Sequence, residues 1–315
     1  MTTQQRALGE DPGDRPATES LRRDPGPVTR WVCAHPIGAF CVWFFPVAWA
    51  IALLPLLSPR PFGVELPLEL FLSGATLLGG LLPVIAITRM VDGPAGLDAL
   101  RRRLLPSPAS PGWYALALLT VPLLALILAV IVYGPPNVSA STVISAVVNG
   151  LLLQTVVGFL AVNLWEEATW MGFVQARLQA QRGVLLAVVV TAVLFALQHL
   201  PLFVANGLVN AAGLVFLAAF IVIAIPFRAL TGWMYNRTGN LFLVGLLHAV
   251  GDATTNGSVD VGFLPRLYEH SDVGFFHMLV LAGIGVVVIV ATRGRLGLPA
   301  RPAPRADASV APAIA

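Results

Sequence analysis

Eight apolar stretches run along the chain, at about residues 37–57, 68–88, 113–133, 143–165, 184–199, 208–227, 241–254 and 273–292. Polar or arginine-bearing segments separate them. A helix needs about 20 residues to cross the hydrocarbon core of a bilayer, and most of these stretches are long enough. The fifth and seventh are shorter, and each carries a histidine. Short spans with polar residues inside are what a site buried between helices requires. The pattern predicts an all-α fold, a polytopic membrane helical bundle of about eight transmembrane helices. Residues 1–30 are polar and rich in Pro, Gly, Asp and Arg, with no short apolar region and cleavage site of a signal peptide. Residues 293–315 are Pro/Ala-rich. The expected organisation is therefore a transmembrane domain over 31–292 between two disordered cytoplasmic tails.

Composition strengthens the membrane reading. Of 315 residues, 57% are hydrophobic and 11% charged, against about 25% charged in an ordinary soluble domain. The mean hydropathy is +0.81. A solvated globular enzyme, a disordered chain and a nucleic-acid binder with a basic face are excluded by these values, and no nucleic-acid partner is expected. All 19 basic residues are arginine. With both ends cytoplasmic, every arginine except Arg60 and Arg266 falls in an inner segment, Arg177, Arg182, Arg228 and Arg237 included. That is the bias of the positive-inside rule. Residues 96–105 pair helical apolar spacing with Arg101, Arg102 and Arg103, which fits either an interfacial helix on anionic lipid headgroups or a charged loop. Cys33 and Cys41 have neither metal spacing nor a disulfide framework.

The scarcity of charge also marks candidate chemistry. Between residues 104 and 227 the charged side chains are Glu166, Glu167, Arg177 and Arg182. An ionised carboxylate at mid-membrane costs roughly 2.5–3.5 kcal/mol, so the two glutamates need a protein-lined or wet cavity. Neighbours on a helix point about 100° apart, so they cannot serve identical roles. His199 ends the fifth stretch, just before Pro201. His248 and Asp252, four residues apart in the seventh, share a helical face. Together these five residues offer a general base, metal ligands and donors for a developing oxyanion. A small transporter using the glutamates as proton carriers is a weaker reading, because paired broken helices and an internal repeat are missing.

The run Trp165-Glu166-Glu167-Ala168-Thr169-Trp170-Met171-Gly172-Phe173, followed by Arg177-Leu178-Gln179, resembles the first motif of the CPBP intramembrane proteases. This is the CAAX-protease or Abi family, related to the type II CAAX prenyl endopeptidase. Phe195 and His199 match its second motif, and His248 and Asp252 its third. The motifs lie in order on separate apolar stretches within residues 149–256. The segment from His35 to Phe40 is also similar to bacterial members. One position departs: Met171 stands where the first motif has arginine, which removes a fixed positive charge beside the glutamates. Arg177 lies six residues on and fits the family's own downstream pattern.

The resemblance implies hydrolysis of a peptide bond in a membrane-associated protein or peptide, at the membrane of a bacterium. Glu166 would activate the attacking water with help from His199, while His248 and Asp252 would serve the oxyanion. An ionised aspartate accepts hydrogen bonds but cannot donate one, so Asp252 either orients His248 or is protonated in a dry site. The family has been described as both glutamate- and metal-dependent. A Zn²⁺ ion would take Glu166, His199 and His248 as ligands, yet no HExxH pair is present, and a metal-free mechanism is preferred. The alternative, favoured by Met171, is a catalytically inactive relative acting as a membrane scaffold or immunity protein. Expected partners are membrane lipid and the peptide or membrane-anchored protein substrate.

Overall fold

A computed structural model describes residues 26–57, 63, 68–106, 109–256 and 260–299. Most of the two expected tails, together with Arg60, lies outside the described residues. Those residues form helices and connecting turns, with no strand among them. In chain order the helices are α1 (Pro27–Ala34), α2 (Pro36–Leu57), α3 (Leu68–Val91), α4 (Gly93–Leu104), α5 (Pro111–Tyr133) and α6 (Ala140–Arg182). They continue with α7 (Val184–Gln198), α8 (Leu200–Ala205), α9 (Ala211–Thr238), α10 (Leu241–Thr255), α11 (Phe263–Leu267) and α12 (Phe276–Ala291). Five of them, α2, α3, α5, α6 and α9, are long and apolar enough to cross a membrane. The apolar helices α7, α10 and α12 are shorter. Each of these eight overlaps one of the eight apolar stretches.

Two boundaries differ from the sequence expectation, and both matter for the site. The fourth stretch does not end at residue 165 but is the first part of the 43-residue α6. It continues without a break through wide π-helical turns at Ala146–Leu153, Phe159–Asn163 and Ala168–Gln175. Such turns are commonly found at functional positions in helices. The sixth stretch does not end at residue 227 either, since α9 runs through Pro226 to Thr238. Arg228, assigned from sequence to an inner loop, therefore lies inside a helix and is fully buried. It carries no topological information.

Local chemistry sets the helix ends. The side chains of Ser139, Asn210 and Asn240 accept from backbone N–H groups of the first turns of α6, α9 and α10. Gly239, at φ 65°, closes α9 in the left-handed conformation. Residues 96–105 fall mostly in α4, a helix with Leu100 turned into the core.

Contacts between helix ends divide the molecule into two faces. At one, Arg177 pairs with Asp92, the Cys33 thiol meets the carbonyl of Met90, and Asn236 donates to the carbonyl of Leu296 at 3.0 Å. Arg89, Arg101, Arg102, Arg103, Arg182, Arg237, Arg293 and Arg295 belong to the helix ends and turns of this face, and all are exposed. At the opposite face Tyr133 donates to the carbonyl of Asp272 and Tyr268 to that of Gly134. Arg266 meets Asp260 there and is the one described arginine on that side. The backbone N–H of Val261, with Arg266, holds the Asp260 carboxyl below the usual carboxylate range.

Aromatic rings and small residues bind the helices between these faces. Trp170 of α6 meets Phe40 and Phe44 of α2 edge-on at 5.7 and 5.0 Å and Phe195 of α7 at 6.3 Å. Close backbone approach, the usual device of membrane helices, joins α12 to α9. A Cβ on Gly285 would lie 2.0 Å from the carbonyl oxygen of Pro226. Gly285→Ala should therefore destabilise the protein by about 1–3 kcal/mol, the usual cost of overpacking. Denaturant unfolding in detergent micelles measures this, and wild-type stability would refute the close packing.

Candidate functional site

The site begins with a short α-helical turn, Leu164–Glu167, set between two π-helical segments of α6. The roughly 100° step between neighbours on a helix sends Glu166 and Glu167 in different directions. Glu167 is fully buried and Glu166 half-buried. Glu167 takes no part in the lining of the adjacent cavity, whereas Glu166 does.

Glu167 forms a bidentate pair with Arg228. Nη1 donates to Oε1 at 2.8 Å and Nη2 to Oε2 at 2.9 Å, with both side chains 0% exposed. Gln175 secures the other side of the arginine, accepting from its Nε and donating to its carbonyl. The guanidinium also lies 5.4 Å from the centres of the Phe195 and Phe227 rings, within cation–π range. Since the paired carboxylate is an acceptor only, the 3.0 Å contact from His248 Nδ1 to Glu167 Oε1 is donated by the histidine. His248 is thereby fixed in ring orientation, with Nδ1–H on Glu167 and Nε2 turned toward Asp252 Oδ2 at 3.8 Å.

Glu166 has a different set of neighbours. Its Oε1 accepts from Gln198 Nε2 at 2.9 Å, and Gln198 Oε1 in turn accepts from Trp170 Nε1 at 2.7 Å. Its Oε2 lies 4.0 Å from His248 Nδ1. His199 caps the C-terminal end of α7 and donates from Nδ1 to the carbonyl of Phe195 at 2.8 Å. That leaves Nε2 as the free nitrogen. The Phe195 and Phe220 rings hold this imidazole edge-on at 4.9 and 5.0 Å.

Asp252 is set as an acceptor. Asn163 Nδ2 donates to Oδ2 at 2.8 Å, and His277 Nε2 approaches Oδ1 at 3.9 Å. His277, on α12, is hydrogen-bonded to the Thr255 hydroxyl. All these groups except Glu167, Arg228, Gln175 and Thr255 line one cavity of about 400 Å³, whose walls are otherwise largely apolar.

Of the five residues expected from sequence, the fold gathers Glu166, His199, His248 and Asp252 around the cavity and places Glu167 behind it. Sequence reasoning missed Arg228, Asn163, Gln198 and His277. The last three are polar residues within predicted apolar stretches, a signal that was available. Arg228 was missed because the sixth stretch was ended at Phe227, eleven residues short of the end of α9. Among the described residues no group of three or more His, Cys, Asp or Glu side chains is arranged to hold a metal ion. The Nδ1 nitrogens of His199 and His248 serve the Phe195 carbonyl and Glu167, which leaves Nε2 of each ring toward the cavity side.

A bundle of apolar helices enclosing a cluster of carboxylates, imidazoles and amides is a multi-pass membrane protein with a buried polar site. The sequence profile described as Type II CAAX prenyl endopeptidase Rce1-like matches residues 148–254, which include all five expected residues and Arg228. Over this third of the chain it is similar to that family. No curated protein matches it.

The pairing of Arg228 with Glu167 has a measurable energetic consequence. Removing one partner of a buried pair leaves an uncompensated charge and costs about 3–5 kcal/mol. Arg228→Met should lose about that much stability, and the double variant Arg228→Met with Glu167→Gln should recover much of it. A double-mutant cycle in micelles reads the coupling. Additive losses would show that the two groups do not interact.

Proposed function

We propose that the protein is an intramembrane endopeptidase that hydrolyses a peptide bond in a membrane-associated protein or peptide. The observation that carries this reading is the contrast between the two glutamates. Glu167 is spent on Arg228, whereas Glu166 faces the cavity with no arginine on it, beside two imidazoles.

In this reading Glu166 takes a proton from the attacking water, and the free Nε2 of His199 shares in the proton transfer to the leaving amine. The Gln198–Trp170 chain keeps the Glu166 carboxylate aimed. With its Nδ1 proton committed to Glu167, His248 acts as the imidazolium, whose second proton, on Nε2, is donated to the oxyanion of the tetrahedral intermediate. Asp252 orients that ring and Asn163, whose second amide hydrogen is available as a further donor. The apolar walls exclude bulk water and strengthen each of these interactions. No step passes through a metal ion, and the home of the enzyme would be the cytoplasmic membrane of a bacterium.

Met171, which is 0% exposed and packed in the apolar core, supports the second reading, an inactive scaffold or immunity protein. Against that reading, Arg228 supplies the guanidinium that position 171 lacks.

Purified protein in lipid, given a peptide library, distinguishes the two. Wild-type cleavage should fall at least about 10²-fold in Glu166→Ala and His248→Ala, the usual size of a general acid–base contribution. The absence of wild-type cleavage across lipids and metals would favour the scaffold. Activity lost to a chelator and restored by Zn²⁺ would overturn the metal-free mechanism.

A further inference from the structure

The cavity is placed unevenly between the two faces of the molecule. Its outer part is built by helix ends remote from the exposed arginines, while Phe44, Glu166, Trp170 and Phe227 form its inner end. The α3 helix gives Glu69 and Ser73 near its start, far from Arg89 at its end. His199 ends α7, a helix that begins just after Arg182. Asn256 follows the end of α10, whose start adjoins Arg237, and His277 opens α12, whose end precedes Arg293. Of these, Glu69 and Asn256 are exposed. At about 1.5 Å per residue, His199 lies roughly 25 Å along α7 from the arginine face, most of a hydrocarbon core of about 30 Å.

Arginine-rich helix ends stay in the cytoplasm, so the asymmetry fixes which compartment the cavity meets. We infer that substrate enters this cavity from the extracytoplasmic side: the protein acts on a peptide segment presented at the outer leaflet, such as an exported peptide or the outer end of a membrane-anchored protein. The walls hold the acids Glu69, Glu166 and Asp252 and no arginine. A segment that is neutral or cationic is therefore favoured over an anionic one, and no guanidinium clamp awaits a terminal carboxylate. This inference rests on the peptidase reading for what the cavity does, but not for where it opens.

Thiol accessibility tests it without any need for activity. In full-length protein carrying Cys33→Ser and Cys41→Ala, a single cysteine is introduced as Ser73→Cys on the cavity wall or Arg182→Cys on the arginine face. Right-side-out and inverted membrane vesicles are treated with membrane-impermeant methanethiosulfonates, one cationic (trimethylammonium) and one anionic (sulfonate). Ser73→Cys should react in right-side-out vesicles and Arg182→Cys in inverted ones, and the cationic reagent should modify Ser73→Cys severalfold faster than the anionic one. Reaction of Ser73→Cys only in inverted vesicles, or from neither side, would overturn the outer entry. Faster reaction with the anionic reagent would overturn the charge preference. Outer labelling in a protein that cleaves nothing leaves the entry route standing and refutes the peptidase.

Discussion

The buried ion pair between Arg228 and Glu167 constrains everything around it. An isolated charge in an apolar interior carries a penalty of several kcal/mol, so each group requires the other, and the bidentate geometry leaves little freedom in how they meet. Because Arg228 is on α9 and Glu167 on α6, the pair fixes the register of these helices. His248 completes the lock by donating to the same carboxylate from α10. Three helices are thus held by one acid that never faces the cavity.

Glu166 benefits from this arrangement because it is the neighbour of a residue that cannot move. With Glu167 pinned behind the wall, the helical step aims Glu166 into the cavity, where an amide rather than a cation holds it. Its carboxylate keeps its capacity to accept a proton, while the histidines on α7 and α10 are each tied at Nδ1, and Nε2 of His248 turns toward Asp252. The same logic accounts for Asp252, which accepts from Asn163 and orients the groups around it. One carboxylate is structural, one faces the cavity and one positions its neighbours, and their surroundings make the difference.

Much of this was legible in the sequence. Apolar run length located the five long apolar helices and the three shorter ones, because such segments have an extreme composition. The low charge then pointed to the two glutamates, and the short fifth and seventh stretches to the histidines. Helix ends were harder to read. An apolar run stops at its first charge, but a helix stops only where its backbone loses a partner. The sixth stretch therefore ended at Phe227, and Arg228 was read as a loop residue when it is the most deeply buried cation of the site. Its partner could not be found from spacing, since 61 residues separate it from Glu167. His277 and Asn163 showed only as polar residues in apolar stretches: neither belongs to a recognisable motif, and only the packing of α12 and α6 against α10 brings them to Asp252.

The central claim is that a guanidinium from α9 takes over the task left vacant at Met171. Exchanging the two positions tests this most directly. Arg228→Met alone removes the cation, and adding Met171→Arg returns it from within α6, four residues after Glu167. Peptide cleavage and thermal stability, measured together in lipid, should collapse in the single variant and be substantially restored in the exchanged one. Wild-type cleavage and stability in Arg228→Met alone would contradict the claim.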